Sequence, residues 1–125
     1  MLALMPFAVT TGVVLEAATP DEVVGSLPWA PERCTAGGMM HGGALMTLAD
    51  SVGAVCAFLN LPVGASTSTV ASSTSLVRAV RSGSARATAR PLNVGRSFIV
   101  VVVEVRDDQG RLVAQVTQTQ AVLAG

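Results

Sequence analysis

The segment His41–Asn60, HGGALMTLADSVGAVCAFLN, carries two kinds of group that could act together on a substrate. Apolar residues at helical spacing predict one α-helix through it. Its first N–H groups lack internal acceptors and carry partial positive charge, so a helix start on Gly42 and Gly43 could polarise a carbonyl or hold an oxyanion. Asp50 supplies a carboxylate roughly 10–12 Å further along the axis. This combination suits hydrolysis of an activated acyl group, with the carboxylate as nucleophile or general base.

The two faces of this helix differ in a way that singles out Asp50. Its apolar stripe consists of Leu45, Leu48, Val52, Val55 and Leu59. The opposite face is small and nearly apolar and consists of Gly43, Met46, Thr47, Asp50, Ala54 and Ala57. A solvated face would carry charges, so we expect the helix to be covered on both sides, with Asp50 in a confined, weakly polar slot. Because a buried carboxylate is costly unless it is paired or used, Asp50 is a candidate functional residue.

The pattern HGGxxxxLAD, which begins at His41, resembles the hotdog-fold acyl-CoA thioesterases, most closely the phenylacetate-pathway and 4-hydroxybenzoyl-CoA thioesterase branch. The resemblance extends from about Gly12 to Leu123. It implies an α+β hotdog domain in which an antiparallel sheet of about six strands wraps one long central helix. It also implies an acyl-CoA substrate, with coenzyme A as part of that substrate and no separate cofactor. The expected assembly is a homo-oligomer whose protomers join edge to edge with sites between them, and whose dimers pair into a tetramer.

The same resemblance assigns roles to five residues near the reacting group. Asp50, nine residues after His41, is the catalytic acid, and the Gly42 N–H polarises the thioester carbonyl. His41 mainly shapes the helix start. Thr35 stands where the family often has an Asn or Gln that holds the carbonyl or the attacking water, and its hydroxyl has a shorter reach. Thr69 matches a Ser or Thr that some relatives use from the partner subunit to orient water; the alternative is a strand threonine with no role beyond β propensity.

The two ends of an acyl-CoA would contact further residues. At the acyl end the helix face around Asp50 indicates Met46, Ala54 and Ala57, and Gly43 is a further candidate for substrate binding. Small side chains there leave room for an aryl ring or a medium-chain acyl group, and Phe58 or Trp29 could stack on a ring. At the coenzyme A end the resemblance indicates Arg78, Arg96 and Ser97. Arginine binds phosphate in a bidentate manner, although solvated arginines at strand ends are the alternative interpretation.

Two other functions are consistent with the same residues. A non-catalytic hotdog domain would bind acyl-CoA without cleaving it; Thr35 in place of Asn or Gln favours this alternative, and the presence of Asp50 opposes it. A hotdog hydratase or dehydratase would use a His and acid pair, which His41 and Asp50 could supply. The fold alone does not decide among the three functions.

Composition limits the classes of function. The 125 residues predict one domain, and eight basic residues, all arginine, against eight acidic ones argue against a nucleic-acid partner. One histidine and two separated cysteines, Cys34 and Cys56, fall short of a metal-ligand set, and Cys56 is expected in the core. The apolar stretch Met1–Val14 lacks the basic start of a secretory signal, and no run approaches the length of a membrane span. We therefore expect a cytoplasmic protein with no membrane partner.

Periodicity and turn residues predict the remaining elements. Residues 1–11 are weakly patterned and are expected to pack loosely or to extend along the sheet. Around a helix over 41–60, strands are predicted over 12–18, 22–27, 65–80, 84–92, 97–106 and 112–123. Short turns between strands favour an antiparallel meander. Val100–Val103 is expected in a central strand, because at an exposed edge it would promote aggregation.

Overall fold

A computed structural model describes residues 1–124 and contains two α-helices and six β-strands. The helices are α1 (Pro6–Thr11) and α2 (Gly42–Leu59). The strands are β1 (Val14–Ala18), β2 (Val23–Pro28), β3 (Ser66–Leu76), β4 (Ser84–Val94), β5 (Phe98–Arg106) and β6 (Leu112–Leu123). The predicted long helix and all six predicted strands are present, although β3 ends earlier than expected and β4 ends later.

The six strands form one antiparallel sheet in the order β1-β2-β4-β5-β6-β3, and α2 packs against it. This confirms the predicted α+β hotdog architecture. The expected meander is wrong at one strand, because β3 pairs with β6 and lies at the sheet edge rather than beside β4. The reason is the path of the connection 77–83. It begins beside β6, where its first N–H donates to the Val113 carbonyl, and it then crosses to the start of α2, where the Met40 N–H donates to the Val80 carbonyl at 2.8 Å.

The core lies between the apolar stripe of α2 and the inner face of the sheet. Leu48, Val52 and Cys56 of α2 are fully buried, as predicted for Cys56. β5 occupies a central position, as predicted, and buries every second residue: Ile99, Val101, Val103 and Val105. Gly25 of β2 lets the helix approach, because a Cβ there would lie 2.7 Å from Val52 Cγ2.

The N-terminal residues differ from the sequence-based expectation, because they form a helix that packs on α2. Pro6 occupies its first turn and Gly12, with φ 104°, ends it in the left-handed region that favours glycine. Ala8, which belongs to this helix, is buried. Arg33 anchors its C-terminal end by donating to the Thr11 carbonyl at 2.5 Å. Six residues are too few for helical periodicity to appear in the sequence.

The hydropathy of α2 also departs from expectation. Its 18 residues have a mean hydropathy of 1.6, which is long and apolar enough to cross a membrane by length and composition alone. Half of this window is buried inside the fold, against the sheet. The apolar character of α2 is therefore explained by its position as the core helix.

Candidate active site

The start of α2 is organised by the His41 side chain. His41 is the N-cap, and its Nδ1 accepts from the Gly43 N–H at 2.8 Å. The His41 N–H donates to the Arg33 carbonyl at 2.8 Å, which ties the helix start to the preceding loop. His41 therefore caps α2 and links it to the preceding loop, and its part in the reaction stays a prediction.

Gly42 presents its backbone to a cleft at the same helix end. Within residues 1–124 the Gly42 N–H has no hydrogen-bond acceptor, so it is available to a ligand. A Cβ on Gly42 would lie 2.8 Å from Leu76 Cδ1, so a larger residue there would require the half-exposed Leu76 side chain at the end of β3 to move. The helix-start cleft, about 380 Å³, is lined by Gly42 together with Thr35 and Arg78. The structure therefore brings these three predicted residues together.

Asp50 lies on the side of α2 that the sheet does not cover. It lines the carboxylate cleft, about 470 Å³, between Phe7 of α1, Met46 of α2 and Ser72 of β3. In the single chain this face is open rather than covered, since Asp50 is exposed and Met46 is 45% exposed. Partial burial nevertheless raises the pKa of Asp50 above its ordinary value, and a hydrogen bond from Gln118 opposes that rise.

Gln118 is a contact of Asp50 that the sequence analysis did not single out. It projects from β6, is fully buried, and donates from Nε2 to Asp50 Oδ1 at 2.5 Å. Gly53 of α2 makes room for it, because a Cβ on Gly53 would lie 2.5 Å from Gln118 Oε1. The signal in the sequence is the alternation of Gln and Thr along β6, where one face of the strand turns out to be buried.

Asp50 and the Gly42 N–H open into different clefts of one chain. His41 and Gly43 line a third space, the histidine cleft, of about 430 Å³, which also contains Glu32 and Arg33. Thr47 lines both the histidine cleft and the carboxylate cleft, so these two are neighbours. A single chain therefore does not direct the carboxylate and the helix-start N–H at one common point.

Thr69 and Ser72 lie on the edge strand β3. Thr69 pairs with Gln120 of β6 in the register, and its hydroxyl accepts from Gln120 Nε2 at 2.7 Å. Ser72 pairs with Gln118 and, unlike Thr69, lines the carboxylate cleft of the same chain. A role for Thr69 in orienting water stays a prediction, and Ser72 is the β3 hydroxyl residue that this chain places beside its own Asp50.

The predicted substrate-binding residues of α2 do not share one space: Met46 lines the carboxylate cleft, Gly43 the histidine cleft and Ala54 an apolar chamber. Ala54 lines the apolar chamber, about 160 Å³, with Leu4, Met5 and Phe58 among its walls. Met5 also lines the carboxylate cleft, so the chamber lies beside Asp50's cleft. The prediction of Ala57 at the acyl end is wrong, because Ala57 is fully buried in the core and does not line the chamber. The Trp29 indole N–H donates to the Gly38 carbonyl at 3.0 Å, outside this chamber.

The predicted coenzyme A residues fall at two ends of the sheet. Arg78 and Arg81 line a polar arginine cleft of about 310 Å³, which also contains the ion pair Arg111–Asp107, 2.9 Å between Nε and Oδ2. Arg78 also lines the helix-start cleft, so the two clefts adjoin. Arg96 and Ser97 lie at the opposite end, where the Ser97 carbonyl accepts from the Val122 N–H at 2.8 Å. Their contact with coenzyme A stays a prediction.

Comparison with known proteins identifies the family of this chain. The family model for the thioesterase superfamily matches residues 37–114, from just before α2 to the first residues of β6. The chain belongs to the thioesterase superfamily. This confirms the resemblance that the pattern HGGxxxxLAD indicated.

Individual members of the superfamily give the same result. The chain is 33% identical over 86 residues to a 1,4-dihydroxy-2-naphthoyl-CoA hydrolase of Escherichia coli, covering 69% of this chain and 63% of that protein. It is 40% identical over 85 residues to a Vibrio cholerae protein whose name includes the word esterase, and this match covers 68% of this chain and 57% of that protein. The chain thus spans less than two thirds of the length of these two relatives. A crystal structure of a phenylacetic acid degradation-related protein of Ralstonia eutropha superposes with a TM-score of 0.85 at 30% identity, covering 93% of this chain and 89% of that one.

Proposed function

We propose that this protein is an acyl-CoA thioesterase that hydrolyses an aryl- or medium-chain acyl-CoA to the free acid and coenzyme A. The observation that carries the proposal is the partly desolvated Asp50 carboxylate on the same helix whose first N–H, at Gly42, has no acceptor in the described chain. Membership of the thioesterase superfamily supports it. Hydrolysis needs these two groups: one that stabilises the oxyanion, and one that supplies or activates the nucleophile.

The Gly42 N–H would donate to the thioester oxygen, and the helix dipole would strengthen that contact. As a general base, Asp50 would take a proton from water while the water oxygen adds to the carbonyl carbon. The C–S bond then breaks, and the thiolate of coenzyme A leaves and is protonated. As a nucleophile, Asp50 would instead add to the carbonyl carbon and displace the thiolate of coenzyme A, which forms an anhydride that water then hydrolyses to the free acid and the carboxylate. Both routes require the ionised carboxylate.

We further propose that two copies complete each site, because the two groups open into different clefts of one chain. β3 is a sheet edge with one free side, and most of its residues are exposed. Antiparallel pairing of this edge with a second copy would cover Asp50 and Met46 and would bring the other copy's β3 and helix start towards them. Thr69 of one copy could then reach the water beside Asp50 of the other.

The clefts also suggest how the rest of the substrate lies. The apolar chamber around Ala54 and Phe58 would take the acyl group, since no polar surface lines it. The arginine cleft would take a phosphate of coenzyme A, because Arg78 and Arg81 are not in any of the chain's described ion pairs. Thr35 lines the helix-start cleft and could assist the carbonyl there.

The His41 contact bears on the hydratase alternative. Its Nδ1 accepts from the Gly43 N–H, so Nε2 is the ring nitrogen left for a substrate, and within one chain the ring lines the histidine cleft rather than the carboxylate cleft. Membership of the thioesterase superfamily, rather than this geometry, favours hydrolysis over hydration.

The decisive experiment measures thiol release from a panel of acyl-CoA esters. Asp50→Asn should lower kcat/KM by about 100-fold or more, because general-base catalysis is worth at least that much. Asp21→Asn is the matched control, since it removes an exposed carboxylate from the β1–β2 turn. Undiminished release by Asp50→Asn would refute the assigned role. Absence of release, with acyl-CoA still raising the melting temperature, would support the non-catalytic binding domain.

A mixing experiment tests the two-copy site. Gly42→Pro removes the proposed donor N–H at a first helical position, where proline is tolerated, and His41 already has the extended backbone (ψ 136°) that a residue before proline favours. Gly42→Ala adds a Cβ but keeps the N–H. Refolding inactive Asp50→Asn together with inactive Gly42→Pro should restore about a quarter of wild-type activity, since about half of random dimers are hybrids with one intact site. No restoration in proven hybrids would place both groups in one chain's site.

A further inference from the structure

The amide of Gln118 lies where it can control the Asp50 carboxylate. It is fully buried on the inner face of β6, and its Nε2 donates to Asp50 Oδ1 at 2.5 Å. A hydrogen bond to an ionised acceptor is stronger than one between neutral groups. Because one carboxylate oxygen is held in this way, Oδ2 is left to contact water or substrate in the carboxylate cleft.

The surroundings of Gln118 show that packing alone does not account for it. Its Oε1 is buried and has no hydrogen-bond partner within residues 1–124, which costs folding free energy. The same oxygen lies against Gly53, three residues after Asp50, in space that exists only because Gly53 has no Cβ. An apolar side chain of the same shape would avoid the unpaired oxygen, but it would lack the bond to Asp50.

We propose that Gln118 is a positioning residue: its amide fixes the orientation of the Asp50 carboxylate and favours the ionised form that the reaction requires. Only the effect on turnover depends on the proposed thioesterase function; the effect on the carboxylate itself does not. Gln118 lies beyond the segment 37–114 matched by the family model.

The electrostatics of the cleft make this role testable. Burial raises the pKa of Asp50 and the hydrogen bond from Gln118 lowers it, so loss of that bond leaves the rise unopposed. Asp50 is the only titratable side chain among the described residues of α1, α2 and β3 that line the carboxylate cleft. β6 contributes the neutral Gln118. A change at Gln118 should therefore appear in the titration of one group.

The test compares the pH dependence of kcat/KM in wild type and in Gln118→Met, which keeps the length of the side chain and removes the donor. The pH of half-maximal activity on the acid side should rise by about one unit, the size of effect that one charge-assisted hydrogen bond supports. Activity at the pH optimum should fall about 10-fold, because the carboxylate loses its fixed orientation. Gln118→Glu, which adds a second acid beside Asp50, should raise the pH of half-maximal activity on the acid side still further.

Gln120→Met is the matched control. Gln120 is also buried, lies on the same face two residues along β6, and bonds Thr69 rather than Asp50. Even if Gln120→Met lowers turnover, its pH of half-maximal activity on the acid side should equal that of the wild type. An unmoved profile in both Gln118 variants, or an equal movement in Gln120→Met, would overturn the proposal.

A second measurement separates this proposal from the proposed function. The carboxyl carbons of the four aspartates can be titrated by NMR, with Asp50→Asn identifying the Asp50 signal. An upward shift of that titration in Gln118→Met, in a protein that hydrolyses no thioester, would support the positioning contact and reject the thioesterase. An unchanged titration in an active enzyme would reject the positioning contact alone.

Discussion

Gly53→Ala should change the stability of this protein with opposite sign in two backgrounds. In an open helix interior the substitution stabilises by about 1 kcal/mol, because alanine has the higher helix propensity. Here the new Cβ would lie 2.5 Å from Gln118 Oε1 and 3.3 Å from Val103 Cγ2. Normal carbon contacts lie near 3.5–4.0 Å, so the Gln118 amide would have to retreat by about 1 Å.

Gln118 is fully buried and bonded to Asp50, so a retreat of its amide would disturb the surrounding packing and that hydrogen bond. Overpacking of this kind costs about 1–3 kcal/mol. After the propensity gain is subtracted, Gly53→Ala should destabilise the wild type by about 1 kcal/mol. In the Gln118→Ala background the obstacle is gone, and the same change should stabilise by up to about 1 kcal/mol. The coupling free energy between the two positions is then about 2 kcal/mol.

Urea denaturation of the four proteins at one fixed protein concentration measures this cycle, since the apparent stability of an oligomer depends on concentration. The same cycle between Gly53 and Gln120 should be additive, because a Cβ on Gly53 meets Gln118 and Val103 rather than Gln120. Equal stabilisation by Gly53→Ala in the wild-type and Gln118→Ala backgrounds would refute the packing on which the Asp50–Gln118 contact depends.

Three further predictions concern Asp50, Cys56 and Arg78. Burial raises the pKa of Asp50 above 3.8, so ionisation of Asp50 destabilises the folded state; this cost is present in full above the folded-state pKa and absent well below 3.8. At pH 7 Asp50→Asn should therefore melt at or above the wild-type temperature. In acid the difference in melting temperature should vanish. Burial raises the pKa of the Cys56 thiol to about 11, so in the native protein a thiol reagent should leave Cys56 unmodified until urea is added. Arg78→Ala should raise KM about 10-fold for acyl-CoA but not for an acyl-pantetheine lacking the nucleotide phosphates, and an equal effect on both substrates would contradict the phosphate assignment.

The sequence predicted the parts of this protein that local patterns encode. The stripe from Leu45 to Leu59 specified α2, and the apolar run Val100–Val103 predicted a central strand. The edge position of β3 was not predictable in the same way, because it depends on which strand lies beside Gln118 and not on any pattern within residues 66–76. Gln118 itself was missed because its 68-residue separation from Asp50 hides the contact, and the glutamines and threonines of β6 indicate a solvent-exposed face.

The open face of α2 and the buried amide of Gln118 explain each other once a second copy is considered. In one chain Asp50 is exposed, and water can supply hydrogen bonds to its carboxylate. A second protomer on the β3 edge would remove that water, which would raise the pKa of Asp50 further if nothing replaced it. Hydrogen bonds strengthen as the local dielectric constant falls, so the Gln118 amide would contribute most in the closed site. On the proposed function, a donor held within each chain keeps the carboxylate ionised at the stage when solvent no longer can.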